Sequence, residues 1–245
     1  MEILKTEKGF LSILAGKTDM GKSTISVLNC AEHLKKGENV IFFSLEYNQS
    51  IIYYKLVNHF DLKFNELINL NVVDSRELPL KEIENIIYNR KKEVDIVYID
   101  YLDLLRDNTY NRENSRKKEL DPDRLPELQE IIAKLAEMAQ ELNISIVLLS
   151  QLKDNLTLEN IVENINLVTS TVNTKNKVIK MFIGRDETLN PLIKCNDMSH
   201  IILIDGYNLM HFSSVNLKEA YKFCCLLPHL AHLECPLLLR DKECP

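Results

Sequence analysis

The stretch GKTDMGKST, residues 16–24, constrains the fold of this chain more than any other. It fits the pattern G-x-x-x-x-G-K-[ST] through Gly16, Gly21, Lys22 and Ser23, with Lys17, Thr18, Asp19 and Met20 between the glycines and Thr24 behind. The glycines let backbone N–H groups curl around phosphate oxygens, Lys22 adds a point charge, and Ser23 suits Mg2+. Such a loop works only between a strand and a helix. FLSILA, 10–15, reads as a buried strand. Residues 22 to 36 then repeat apolar groups at Ile25, Leu28, Ala31 and Leu34, one helix face, and Gly37 closes them. The helix N-terminus is thereby aimed at the phosphates. Chance would produce the pattern in about one chain in a hundred of this length, and this chain has only six glycines.

The same alternation continues along the chain. Strands are expected at 40–45, 70–74, 94–105 and 144–152, and helices at 49–60, 80–92 and 126–142. That rhythm implies an α/β fold, a mostly parallel central β-sheet flanked by helices. After residue 153 the signal weakens. LTLENIVENINLVTS reads as a helix then a strand, and 177–183 and 200–205 as further strands. We expect a core over 1–205 and an irregular, cysteine-rich extension over 206–245. ILIDGYNLMHF, 202–212, resembles the opening strand of PIN-like nucleases. Too few residues and acidic groups follow for such a domain, so a late sheet strand ended by Gly206 is the expectation.

Net charge is −6, with 30 basic and 36 acidic residues, which argues against a surface coated in basic groups for nucleic acid. No apolar run reaches the ~18–20 residues that cross a membrane, and MEILKTEKGF is no secretory signal. The expected setting is therefore the cytoplasm, of a cell or of an infected host, with no membrane partner. Of six cysteines, Cys224, Cys225, Cys235 and Cys244 crowd the tail with His229 and His232, in no recognisable zinc spacing. Free cysteines in apolar packing are the expectation.

Three strand ends carry polar groups. A phosphate loop needs a carboxylate to hold Mg2+, at the end of an apolar strand beside it. Asp100 closes VDIVYID in that position, whereas Asp103 lies past the buried run and Asp95 precedes it. Glu46 ends the strand in IFFSLEY, and Gln151 ends ISIVLLSQ. In a parallel sheet all such ends lie along one edge, where ligands bind. Glu46 is placed to orient an attacking water, against the alternative of a solvated strand end. The Gln151 amide is placed to report a terminal phosphate, against a cap or loop contact.

GKTDMGKST, SLE at 44–46, IDYLDLL at 99–105 and LLSQL at 148–152, in this order, resemble the ATPase domain of DnaB-type replicative helicases over about residues 9 to 153. The resemblance implies a RecA-like fold, ATP and Mg2+ as cofactors, and a homo-hexameric ring that translocates on single-stranded DNA with replication proteins as partners. It makes Lys22 and Ser23 the phosphate and Mg2+ contacts, Asp100 the metal-side carboxylate, Glu46 the catalytic glutamate and Gln151 the nucleotide switch. Arg185, in FIGRDET, is the nearest match to the arginine finger. Family members carry DNA-contacting loops after the metal-side aspartate. Here 106–124 offers Arg106, Arg112, Arg116, Lys117, Lys118 and Arg124 for phosphate contacts. Asp107, Glu113, Glu119, Asp121 and Asp123 offset much of that charge, so a solvated loop is the competing reading. The chain opens on the first strand, before which the family carries an N-terminal domain and a linker helix. Nucleotide binding is the expectation that depends on neither. A reduced helicase of a phage or plasmid is one reading; a RecA-like ATP-binding regulator or helicase loader without unwinding activity is the alternative.

Overall fold

Continuous apolar runs need cover on both faces, and the structure supplies it. The computed structural model describes residues 4, 6–17, 21–75, 78–105, 125–152, 177–185, 191–195, 200–205 and 208–213. In chain order these form β1 (Phe10–Lys17), α1 (Lys22–Lys35), β2 (Val40–Ser44), α2 (Gln49–Asn58), β3 (Leu70–Asp74), α3 (Leu80–Asn89), β4 (Ile96–Asp100), α4 (Leu125–Leu142) and β5 (Ser145–Leu152). Then come β6 (Lys177–Arg185), β7 (Pro191–Cys195), β8 (His200–Asp205) and β9 (Asn208–Ser213). One sheet holds them all in the order β3-β2-β4-β5-β1-β6-β7-β8-β9. The six strands from β3 to β6 are mutually parallel; β7, β8 and β9 add on antiparallel.

The period of two along each strand sorts side chains into two cores. Ile41 and Phe43 of β2, Val97 and Ile99 of β4, and Ile146 and Leu148 of β5 pack against α3 and α4 through Ile83, Ile87, Leu128 and Leu135. Their sequence neighbours Val40, Phe42, Ile96, Tyr98, Val147 and Leu149 pack on the opposite face against Ile25, Cys30, Ala31 and Leu34 of α1 and Ile52 and Leu56 of α2. Ile52 and Leu56 are both 0% exposed, a burial that stabilises by about 1.5–3 kcal/mol per side chain. They fix where α2 lies, which matters below. Helix α1 ends at the Lys36 C-cap, followed by Gly37 at φ 79°. A Cβ there would meet nothing within 4 Å among the described residues, so the left-handed backbone is what calls for glycine.

Most expected elements stand within a few residues of their forecast limits. The segment 94–105 does not. Its strand stops at Asp100 and passes into a short 3-10 turn, Leu102–Leu104, because Leu102 and Leu105 are buried in the α3–α4 core. The Asp100–Tyr101 peptide is cis. Helix α3 stops at Asn89, before residues 90–93 turn back through Glu93 N–H to Arg90 O at 2.8 Å. Strands β7 and β9 were not anticipated. The stretch LTLENIVENINLVTS lies outside the described residues, as do the tail cysteines. Cys30 is free and buried, and burial pushes its thiol well above the ordinary value. Among the described residues no helix is long and apolar enough to cross a membrane.

Candidate active site

Strand register sets the site. Ser44 pairs with Asp100 across β2–β4, and Gly16 pairs with both Gln151 of β5 and Ile183 of β6. The C-terminal ends of β2, β4, β5, β1 and β6 therefore form one edge, as parallel pairing requires. Asp95, at the far end of β4, is engaged elsewhere: it accepts from Lys8 Nζ at 2.7 Å and from Asn39 N–H at 3.0 Å.

Helix α1 begins at that edge. Gly21 is its N-cap at φ 86°, with no side-chain cap, and its carbonyl accepts from Ile25 N–H at 2.9 Å. The first-turn N–H groups consequently open onto a cavity of about 250 Å³, lined by Gly21, Lys22, Ser23 and Thr24. Lys22 is buried, and its Nζ donates to Gly16 O at 2.9 Å. The ammonium is thus held across the loop mouth, where an incoming anion would compete with a neutral carbonyl for it. Gly16 is the penultimate residue of β1; Lys17 ends the strand by its backbone, and Thr18, Asp19 and Met20 lie outside the described residues.

Across the cavity stand Glu46, Asp100 and Gln151. Asp100 is 1% exposed, accepts from the Ser23 hydroxyl, and leaves Oδ2 buried with no hydrogen-bond partner among the described residues. Burial, followed by the nearby Glu46 charge, pushes its carboxyl up to about 6; the Ser23 bond, Lys22 and Lys55 pull the other way. A buried carboxylate oxygen without a partner is costly unless something else meets it. Among the described residues no cluster of three or more His, Cys, Asp or Glu holds a metal by itself. The Asp100–Ser23 pair instead fits Mg2+, which keeps waters and takes few protein ligands beside phosphate oxygens.

Glu46 is exposed, just past β2, whose end is tied to β4 by Leu45 N–H donating to Asp100 O at 2.8 Å. Three further residues line the cavity that sequence reasoning missed: Tyr47, Lys55 and Tyr101. For Lys55 a signal existed. It lies seven residues, about two helical turns, after the Asn48 cap, so its side chain leans back over the β2–α2 turn. A second cavity, about 500 Å³, lies beside Glu46 and Tyr47 and is lined by Asp74 and, among the described residues, by no Lys or Arg, a poor setting for phosphate. Arg185 ends β6 on the same edge by its backbone; its side chain and the whole of 106–124 lie outside the described residues.

A family model for the DnaB-like helicase C-terminal domain matches residues 61–190, more than half of the chain. The match takes in Asp100 and Gln151 and begins after the phosphate loop and Glu46. A probable replicative DNA helicase of Trieres chinensis is 28% identical, over 61% of this chain and 37% of that protein. Among solved structures, a DnaB-like replicative helicase described with its interactions with primase superposes at TM-score 0.55 and 17% identity, over 84% of this chain and 54% of that one. A second solved structure, of an ATPase domain, gives 0.55 at 17%, over 87% and 83%. A KaiC-like protein from Pyrococcus horikoshii OT3 gives 0.53 at 16%, over 84% and 90%. These neighbours share the RecA-like fold seen here. The chain spans 37% of the length of the curated relative it matches.

Proposed function

The chain belongs to the DnaB-like helicase C-terminal domain family, and on that premise we propose that it is an ATP-hydrolysing motor domain that acts on single-stranded DNA during replication. The observation that carries this reading is the gathering of Lys22, Ser23, Glu46, Asp100 and Gln151 around one cavity at the start of α1, with Asp100 Oδ2 buried and unmet.

ATP enters with its phosphates on the first turn of α1, and Lys22 exchanges the Gly16 carbonyl for phosphate oxygens. Mg2+, when bound, neutralises charge on those oxygens. Ser23 and Asp100 are the residues that would hold it. Glu46 accepts a hydrogen bond from a water lying in line with the terminal phosphorus. As that water attacks, a new P–O bond forms and its proton passes to the Glu46 carboxylate. The bond to the β-phosphate oxygen breaks, and ADP leaves with that electron pair. Gln151, at the end of β5 beside β1, loses its contact with the terminal phosphate and relays the change. Arg185 serves a neighbouring copy's nucleotide in a homo-hexameric ring, and the basic residues of 106–124 contact the DNA backbone.

Turnover of ATP by the wild type and by Glu46→Gln, with and without single-stranded DNA, tests this. The expected result is stimulation by DNA in the wild type and a loss of about a hundredfold or more in the variant. Equal turnover in both proteins would contradict the assignment of Glu46.

A further inference from the structure

Lys55 is the one cation of the cavity that comes from outside the phosphate loop among the described residues. It sits on the second turn of α2, whose place is fixed by buried Ile52 and Leu56 on either side of it in sequence. The turn leading into α2 is also fixed. Ser44 Oγ donates to Tyr47 O at 2.6 Å, Asn48 caps the helix through Ile51 N–H, and Gln49 N–H donates to Asp74 Oδ2 at 2.8 Å. Lys55 Nζ lies 5.2 Å from the centre of the Tyr47 ring. That contact orients an ammonium without neutralising it, unlike an ion pair.

Tyr47 directly follows Glu46, so the ammonium is held at the Glu46 end of the cavity. A triphosphate running from that turn toward Glu46 would bring its terminal phosphate there, beside two carboxylates, Glu46 and Asp100. A diphosphate would stop short. We propose that Lys55, seated on Tyr47, contacts the terminal phosphate of a bound nucleoside triphosphate and so makes the cavity discriminate triphosphate from diphosphate. This rests on the nucleotide reading of the cavity given above.

The test compares affinities for ATP in a non-hydrolysable β,γ-imido form and for ADP, each with Mg2+, by calorimetry on the full chain. Lys55→Met keeps most of the aliphatic stem. It is expected to weaken triphosphate binding about tenfold or more, the scale of one charge-assisted hydrogen bond. ADP binding should change less than about twofold, which also reports that the variant is folded. Lys55→Arg restores most of the preference, and Tyr47→Leu loses part of it. An unchanged ratio of the two affinities in Lys55→Met, or equal weakening of both, overturns the role of Lys55 while leaving the cavity a nucleotide site. A wild type that binds neither nucleotide overturns the functional reading itself, and this role with it.

Discussion

Asp100 is where the chemistry of a single residue opposes the stability of the fold. Its carboxyl is raised from an ordinary 3.8 to about 6 by burial and by Glu46. Between those two values the folded state binds a proton that the unfolded state has released. Stability from this group therefore falls as pH rises through about 4 to 6 and stays lower above. Asp100→Asn removes the effect. In the absence of Mg2+ the variant should be more stable than wild type at pH 7.5, by ~3 kcal/mol at most, and no more stable at pH 4. Urea unfolding at the two pH values checks this, and an equal change at both would contradict it. The same variant should lose the Mg2+ dependence of nucleotide binding. Lys22, Ser23, Glu46, Asp100 and Gln151 were legible in the sequence as a set, because a loop motif and three strand ends must meet on one edge of a parallel sheet. Tyr47 and Tyr101 were not, and Lys55 was only through its helical spacing from the Asn48 cap. Their places in the cavity depend on how a turn and a helix settle on the sheet.

At the scale of elements, the two-faced sheet is the legible part. Near-continuous apolar runs in β1, β2, β4 and β5 can only be central strands covered on both sides, and each is. The antiparallel end is less legible. β7 opens on a proline, which reads as a break, and β9, NLMHFS, has no β-branched residue. Between α1 and β4 lies a polar contact that pattern reading passes over. The Tyr98 ring stacks on Phe42 at 5.4 Å, and its hydroxyl accepts from Asn29 Nδ2 at 2.6 Å. Asn29 Oδ1 in turn accepts from Leu4 N–H at 3.1 Å, tying the N-terminal segment to the core. Tyr98→Phe keeps the stacking and strips that acceptor from a buried amide. We expect a loss of about 1–3 kcal/mol in chemical unfolding, with nucleotide affinity unchanged because Tyr98 does not line the cavity. A variant as stable as wild type would mean that the amide finds another partner.

For the whole molecule, the arrangement of six parallel strands with helices on both faces makes one edge of the sheet a binding edge, and the helicase-family match runs along the same chain. Ligand that binds only the folded state adds RT ln(1 + [L]/Kd) to stability. The Mg2+ nucleotide should therefore raise the unfolding midpoint, and more for triphosphate than for diphosphate if Lys55 acts as inferred. A crystal structure of the chain with Mg2+ and a non-hydrolysable ATP analogue tests the central claim most directly. The expected result has the phosphates on the first turn of α1, Lys22 Nζ moved from Gly16 O onto them, and the cation between Ser23 Oγ and Asp100. Nucleotide bound elsewhere, or Lys22 still on the Gly16 carbonyl with Asp100 Oδ2 unmet, would contradict it.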